Sequence, residues 1–299
     1  HLGLVLPGEI KNLQEQMRQL GDCLEKTLDV DALLKLGEKA DIDALGSVTV
    51  TADGSSQKCE AQKNADLVLQ NQLSGEKISH SAIRIRLGVA WDEAFCFYYR
   101  DNLEFLEKQG VQIVRFSPVH DKHLPDDLDG LLLGGGYPEL YAKALGENET
   151  IRNEIRRKAE EDMPVLAECG GYLYLLKELK DENGTGYEMA GVFSGKGYKK
   201  GKNSHFGYIT VQTERDSLYL KAGETIKGHE FHYWESTQDE NELKMQAKKP
   251  TGKRSWPCVT VKNQVMAGFP HLYYPSLEGF GERFVQACDR YRMKRKRQQ

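Results

Sequence analysis

The chain has 299 residues, of which 39% are hydrophobic, and its formal net charge is −4 at pH 7. A chain of this length forms one or two domains, and its mean hydropathy of −0.60 argues against a membrane protein. The negative charge argues against nucleic acid as the main partner.

The first 80 residues predict helices followed by a linker. His1 to Val5 has the apolar pattern of a buried strand, which indicates a domain cut open at this end. Apolar residues recur at helical spacing over 9–26 and 29–40, so two helices are expected there. Residues 41–80 are polar and predict an interdomain linker. A small helical subdomain, complete in itself, is the alternative for the front of the chain.

Beyond residue 82, strand patterns and helix patterns alternate. Strands are expected at 84–90, 111–116, 130–133 and 165–167, and helices at 98–109, 149–160 and 173–180. This alternation predicts an α/β fold with a doubly wound, mostly parallel sheet. The segment 187–267 is rich in strand patterns that extend the sheet with antiparallel strands, and a helix at 278–292 closes the domain.

An apolar strand that runs into three glycines, at Leu131–Gly136, is the first chemical signal. The backbone N–H groups of Gly135 and Gly136 are unobstructed, so they suit the oxyanion of an acyl-transfer intermediate. A phosphate cradle is the rival use of such a loop, but the chain has neither P-loop nor dinucleotide-binding spacing.

Cys169 follows a short apolar strand and precedes Gly170 and Gly171, a pattern typical of a nucleophile at a sharp strand-to-helix turn. The first turn of the next helix is expected to lower the thiol pKa, and Gly170 N–H is a further oxyanion donor. A buried structural cysteine is the alternative, which the paired glycines disfavour. Because the six cysteines are dispersed, reduced thiols and a cytoplasmic location are expected.

His271 is the candidate base for this thiol, because it follows the strand pattern at 264–267 and so lies at the end of a sheet strand. His229, Glu230 and His232 alternate along another predicted strand and are pocket candidates. Metal binding by the two histidines is the alternative. No third ligand stands at a useful spacing, so no metal site is predicted.

Four segments together carry a family resemblance: Asp92–Tyr99 (DEAFCFYY), Gly134–Leu140 (GGGYPEL), Ala167–Gly171 (AECGG) and Gly228–Tyr233 (GHEFHY). They resemble the glutaminase half of the cobyrinic acid a,c-diamide synthases, the cobalamin-pathway branch of the class I glutamine amidotransferases. The resemblance covers about residues 82 to 290. Its first and last segments are more restrictive than the cysteine elbow, which all class I glutaminases share.

The resemblance implies glutamine hydrolysis at Cys169 with His271 as the base, and delivery of ammonia to an ATP-activated carboxylate of a corrinoid acceptor. It places the oxyanion and glutamine site at Gly135, Gly136, Tyr137 and Gly170. In the family, a P-loop upstream of His1 belongs to an N-terminal synthetase domain that holds ATP and Mg²⁺. No cofactor is therefore expected on this chain itself, and neither nucleic acid nor membrane is expected as a partner.

The implied domains are a C-terminal remnant of that synthetase domain at 1–45, a polar linker at 46–81 and a class I glutamine amidotransferase domain at 82–299. Two departures affect the site. Many class I glutaminases follow the histidine with Pro-Glu, whereas Leu272 and Tyr273 follow here, as in the cobalamin branch, so a Cys-His dyad is expected. Trp234 and Glu235 replace a serine at the rim of the pocket.

Two alternatives to this function stay open from the sequence. The same chemistry can serve another carboxylated tetrapyrrole, such as a nickel sirohydrochlorin, because the acceptor is bound by the absent synthetase domain and at its interface, so residues 82–299 do not separate the two. A different cysteine hydrolase, or a catalytically silent interaction module, can also be built on the same elbow.

Overall fold

The structure is a computed structural model that describes residues 12–38, 85–200, 205–238, 243–251, 254–277 and 279–298. The chain divides into two compact units, His1–Ser79 and His80–Gln299. Every described helix is too short or too polar to span a bilayer.

In the first unit, two helices are described, α1 (Leu13–Thr27) and α2 (Val30–Glu38). They confirm the helices expected at 9–26 and 29–40 over most of their length. The apolar side chains Met17, Leu20 and Leu24 form a stripe along α1 and are exposed. The predicted strand at 1–5 and the predicted linker at 46–81 lie outside the described residues.

The second unit alternates strands and helices before a strand-rich segment. Its helices are α3 (Arg100–Lys108), α4 (Ala142–Glu147), α5 (Glu149–Glu160), α6 (Gly170–Leu175) and α7 (Phe280–Gln298). Its strands are β1 (Ile85–Ala90), β2 (Phe95–Phe97), β3 (Val111–Phe116), β4 (Gly130–Leu133), β5 (Gly135–Gly136), β6 (Val165–Glu168), β7 (Glu178–Lys180), β8 (Gly186–Glu188), β9 (Lys196–Lys199), β10 (His205–Gln212), β11 (Thr225–His232), β12 (Trp234–Ser236), β13 (Leu243–Lys248), β14 (Ser255–Lys262), β15 (Val265–Gly268) and β16 (His271–Leu272).

The described strands form one large mixed sheet of ten strands, in the order β16-β11-β10-β13-β14-β15-β6-β4-β1-β3. The five strands from β15 to β3 are parallel neighbours. The strands from β16 to β14 pair antiparallel with one another, and β14 pairs antiparallel with β15. The expected α/β class and the strand-rich second half are confirmed, and the parallel part makes up half of the sheet. Two smaller sheets accompany it, β12-β9-β7-β8 and β2-β5.

Helices cover both faces of the parallel part, as expected for a doubly wound sheet. Alternate residues of β4 and β6 face opposite sides. Leu131 and Val165 join the core that contains α4, α5 and α6, whereas Leu132 and Leu166 join the core that contains α3 and α7. The two faces therefore bury separate apolar cores, and the central strands are apolar on both sides.

One predicted helix is wrong in its second half. The helix expected at 173–180 ends at Leu175, because Leu176 is extended with φ −69° and ψ 170°. Residues 178–180 then form β7, which pairs with β8 and β9. Pairing with two neighbouring strands overrides the helical preference of this short segment. The closing helix α7, in contrast, runs past the predicted end at 292.

The parallel part brings three strand ends to one edge of the sheet. The strands β4, β6 and β15 are adjacent, with Leu133 opposite Ala167 and Glu168 opposite Gly268 in the ladders. Their carboxyl ends lead into the glycine loop, Cys169 and His271 respectively. Active sites of open α/β sheets lie at this edge, so the three sequence signals meet where the fold predicts a site.

Asn102 of α3 fixes the segment that follows His271. Its amide Nδ2 donates to the carbonyl oxygen of Leu272 at 2.7 Å, and its Oδ1 accepts from the N–H of Tyr274 at 2.9 Å. The side chain is buried. Removal of the amide would leave two buried backbone groups without these partners.

Replacement of Asn102 by alanine is expected to lower the free energy of unfolding by about 2–6 kcal/mol, since two buried backbone groups lose their partner and each costs about 1–3 kcal/mol. Urea titration measures the change. Asp101 is the matched control, because its carboxylate accepts from the Tyr273 hydroxyl at an exposed position on the same helix. Asp101→Ala should cost about 1 kcal/mol or less, and equal losses from both variants would contradict the assigned role of Asn102.

Candidate active site

Cys169 lies at a strained turn between β6 and α6. Its backbone has φ 49° and ψ −103°, which side-chain-bearing residues rarely adopt. Gly171 makes the turn possible: its N–H donates to the carbonyl oxygen of Gly134 at 2.9 Å, and a Cβ on it would lie 2.0 Å from the carbonyl oxygen of Leu133. Only glycine permits this close approach. Strain at a residue of this kind is typical of a nucleophile elbow.

The thiol of Cys169 is buried, with 8% of the residue exposed. Burial, followed by the charge of Glu139, raises the pKa of Cys169 to about 12, and a hydrogen bond from Gly170 N–H opposes this only in part. The expectation of a lowered thiol pKa is therefore wrong for this state. Desolvation exceeds the effect of the first turn of α6, which is only six residues long.

His271 begins β16 and pairs across β11, directly opposite His229. Its ring is buried, and burial, followed by the charges of His229 and His232, lowers the pKa of His271 to about 3. A Cβ on Gly135 would lie 2.3 Å from Cε1 of the ring, so the glycine leaves the space that the imidazole occupies. Cys169 and His271 are therefore both neutral, and both adjoin the glycine loop.

The glycine loop Gly134–Gly136 contacts both members of this pair. Beside its contact with His271, the amide nitrogen of Gly136 lies 3.1 Å from the position of a Cβ on Gly170. The N–H of Tyr137 donates to the carbonyl oxygen of Ala94 at 3.0 Å, so this backbone donor is already engaged. Of the residues predicted for the oxyanion and glutamine site, Gly136 and Gly170 lie next to each other at the elbow.

The DEAFCFYY segment holds the glycine loop by strand pairing and by a hydrogen bond. Strand β2 pairs with β5, with Phe95 opposite Gly136, and the hydroxyl of Tyr98 accepts from the N–H of Gly134 at 2.9 Å. Asp92 holds the turn before β2, because its Oδ1 accepts from the N–H of Ala94 at 2.9 Å. This family-like segment therefore shapes the loop from a second sheet.

The pocket candidates of β11 divide between two sides of the strand. Glu230 and His232 are buried, and the carboxylate of Glu230 accepts from Trp256 Nε1 at 3.0 Å. His232 Nδ1 donates to the carbonyl oxygen of Trp234 at 2.7 Å, and its ring stacks on Phe269 with centroids 4.0 Å apart. No group of three or more possible metal ligands occurs in the described part of the chain.

His229 lies on the other side of β11, half-buried between aromatic rings. Its ring centroid is 6.2 Å from that of Phe206 and 5.8 Å from that of Tyr208, and both aromatic residues are exposed. Because the edge strand β16 pairs with β11, His229 adjoins His271 from the inner neighbouring strand. The GHEFHY segment thus places His229 beside the candidate base, and Glu230 and His232 on the opposite side of the strand.

Two buried carboxylates at the site were not among the candidate residues from the sequence. Burial raises the pKa of Glu139 to about 7 and that of Glu168 to about 8. Oε2 of Glu168 lies 4.0 Å from Nδ1 of His271. For Glu168, the only signal in the local sequence was its position as a charged residue at the end of an otherwise apolar strand, directly before Cys169. The contact between Glu168 and His271 joins residues that are far apart in the chain.

Comparison with known proteins places this geometry in a family context. Residues 86–277 match the family described as the CobB/CobQ-like glutamine amidotransferase domain. A cobyrinate a,c-diamide synthase of Caldanaerobacter subterraneus subsp. tengcongensis is 34% identical over 97% of this chain and 58% of its own length. One from Picrophilus torridus is 34% identical over 96% of this chain and 56% of its own length.

The chain thus spans a little over half the length of these curated relatives. Among solved structures, a chain of PurLQS from Thermotoga maritima is 18% identical, with a TM-score of 0.48. The match covers 70% of this chain and 99% of the Thermotoga chain.

The neutral state of the thiol can be tested by its reaction with iodoacetamide as a function of pH. Because the pKa of Cys169 is raised to about 12, the alkylation rate of Cys169 should still increase between pH 8 and pH 10, without a plateau near neutrality. Peptide mass spectrometry resolves the rate at this residue. A plateau below pH 8 that disappears in His271→Ala would instead identify a thiolate-imidazolium pair.

Proposed function

The chain belongs to the family of CobB/CobQ-like glutamine amidotransferase domains, and we propose that it hydrolyses glutamine at Cys169, with His271 as the base. One observation carries the proposal: the loop Gly134–Gly136 lies against both the Cys169 elbow and the His271 ring. A thiol, an imidazole and a glycine loop that adjoins both are the components of acyl transfer from an amide.

In the proposed reaction, the sulfur of Cys169 attacks the carboxamide carbon of glutamine while its proton passes to His271. The N–H groups of Gly136 and Gly170 stabilise the oxyanion that forms, and Tyr137 contributes to the wall of the glutamine site. His271 then returns the proton to the departing nitrogen, which leaves as ammonia. Water hydrolyses the γ-glutamyl thioester, and glutamate is released.

The electrostatics of the site support an amide substrate with a positive group. Burial keeps Cys169 and His271 neutral at rest, so charge separates only as the bond to the substrate forms. Burial is the main cause of the raised pKa of the Cys169 thiol, and the charges of Glu139 and Glu230 add to it, so both carboxylates lie near the sulfur. Carboxylates in this position disfavour an anionic ligand and suit the α-ammonium group of a free amino acid.

The acceptor in this proposal is cobyrinic acid, amidated at its a and c carboxylates, because the similar proteins are named cobyrinate a,c-diamide synthases. In this proposal, a synthetase domain that holds ATP and Mg²⁺ accounts for the length of those relatives that this chain does not span; residues 1–45 belong to that domain and residues 46–81 connect it to residues 82–299. The corrinoid would bind where that domain meets residues 82–299. The matched names favour this acceptor over another tetrapyrrole.

A glutamine analogue with an electrophilic carbon in place of the carboxamide tests the nucleophile. It should form one stable adduct, located on Cys169 by peptide mass spectrometry, because this thiol adjoins the glycine loop that stabilises the oxyanion. Excess glutamine should protect the residue, and Cys169→Ala should abolish the adduct. Labelling that persists in Cys169→Ala, or that falls on Cys96, would refute the assignment. A different hydrolase or a silent module would give no adduct and release no ammonia from glutamine.

The histidine assignment makes a separate prediction. His271→Ala should slow glutamine hydrolysis by about 10²–10⁴-fold, because the thiol loses its proton acceptor, while glutamine binding changes little. Release of glutamate and ammonia measures turnover. His229→Ala and His232→Ala are the matched comparisons, and each should have a smaller effect. A full loss in His232→Ala, with His271→Ala near normal, would identify His232 as the base.

A further inference from the structure

We propose that Glu168 orients His271 and completes a Cys-His-Glu triad, with the acid supplied by the residue before the nucleophile rather than by a residue after the histidine. The inference rests on the proposed function, because it assigns His271 as the base. It differs from the dyad expected from the sequence, where Leu272 and Tyr273 occupy the positions after His271.

The carboxylate of Glu168 is held in one position by the segment that carries His271. Its Oε1 accepts from the backbone N–H of Leu272 at 3.2 Å and from the hydroxyl of Tyr274 at 3.1 Å. Both donors lie within three residues of His271. The second oxygen, Oε2, faces Nδ1 of His271 at 4.0 Å. One oxygen therefore anchors the carboxylate, and the other is directed at the imidazole.

The imidazole is held from its own side as well. Strand β16 pairs with β11, and the Asn102 amide fixes Leu272 and Tyr274 through two short hydrogen bonds. Within the described residues, no lysine or arginine forms an ion pair with Glu168, whose only such partner is His271. The N–H at Nδ1 of His271 is thus the hydrogen-bond donor available to the second carboxylate oxygen of Glu168. Hydrogen bonds at active sites are often long before substrate binds, so 4.0 Å is compatible with closure in the complex.

This arrangement selects the tautomer that catalysis requires. An ionised Glu168 favours the proton on Nδ1, which leaves Nε2 unprotonated to accept the thiol proton of Cys169. When that proton arrives, Glu168 stabilises the imidazolium, and the proton then passes from Nε2 to the leaving ammonia. Glu168 keeps its own charge throughout, as the acid of a serine-protease triad does. Its charge also opposes the effect of burial, which otherwise makes His271 a weak base.

The ionisation of Glu168 should appear in the pH dependence. Burial raises the pKa of Glu168 to about 8, although the bonds from Leu272 N–H and the Tyr274 hydroxyl oppose the shift. The other titratable groups that face this pair are Cys169 and the residues Tyr98, Tyr99, Tyr274, His229 and His232. The thiol and tyrosine pKa values are raised, away from this range. Below the pKa of Glu168, one additional proton is bound by Glu168 and His271 together, and His271 cannot act as base. The value of kcat/KM should therefore rise with pH through about 8.

The variant Glu168→Gln tests the proposal, because its amide oxygen can still accept from Leu272 and Tyr274 while the charge is lost. It should lower kcat/KM at high pH by about 10²–10⁴-fold and abolish the rise near pH 8, by analogy with removal of the triad acid elsewhere. Its amide N–H₂ donates to Nδ1 and so favours the opposite tautomer. Nitrogen NMR of labelled histidine above pH 8, where Glu168 is ionised, should show Nδ1–H in the native chain and Nε2–H in Glu168→Gln; His271→Gln assigns the signal.

Tyr274→Phe is the companion variant, because it removes one hydrogen bond to Glu168 and leaves the charge. It should shift the midpoint of the pH profile upward, since the ionised carboxylate loses a donor, and it should retain the Nδ1–H tautomer. If Glu168→Gln does not fold, this shift and the tautomer of the native chain still decide the matter.

An Nε2–H tautomer in the native chain above pH 8 would overturn the proposal, as would a pH profile that neither variant alters. The tautomer does not depend on turnover. A chain with the expected tautomers but no adduct on Cys169 would refute the glutaminase function and leave the positioning role of Glu168 intact.

Discussion

The site depends on the close approach of the backbone at Gly171 to the backbone at Leu133 and Gly134. The N–H of Gly171 donates to the carbonyl oxygen of Gly134, and the space for a Cβ on Gly171 is filled by the carbonyl oxygen of Leu133. This contact fixes the cysteine elbow against the glycine loop. Because β4 and β6 are parallel neighbours, the contact follows directly from the sheet, and the same loop then accommodates the ring of His271 at Gly135.

Close packing also determines the charge state of the site. Burial raises the pKa of Cys169 and lowers that of His271, so both are neutral in the absence of substrate. The same exclusion of water raises the pKa values of Glu139 and Glu168. The thiol and the imidazole therefore carry no charge before substrate binds. Electrostatic stabilisation acts on the charges that develop on them and on the substrate during the reaction.

The sequence predicted those features that are written in short segments. The strand-to-glycine pattern before Gly134, the elbow at Cys169 and the strand before His271 each depend on a few neighbouring residues, and the parallel part of the sheet follows from their alternation. The role of Glu168 was not predictable, because residues 168 and 271 meet only through the ladder of β6 and β15 and the return of β16. The thiol pKa was predicted in the wrong direction because burial cannot be judged from a local motif. Strand β7 was missed because its partners β8 and β9 lie later in the chain.

The nucleophile and the base are attached to different parts of the sheet. Cys169 follows β6 near the centre of the parallel strands, whereas His271, only three residues after β15, leaves its neighbour and pairs with β11 at the far end of the strand order. The sheet must therefore curve back on itself for the two residues to share a loop. As a consequence, the distance between the sulfur and the imidazole depends on how strongly the sheet curves between β6 and β11.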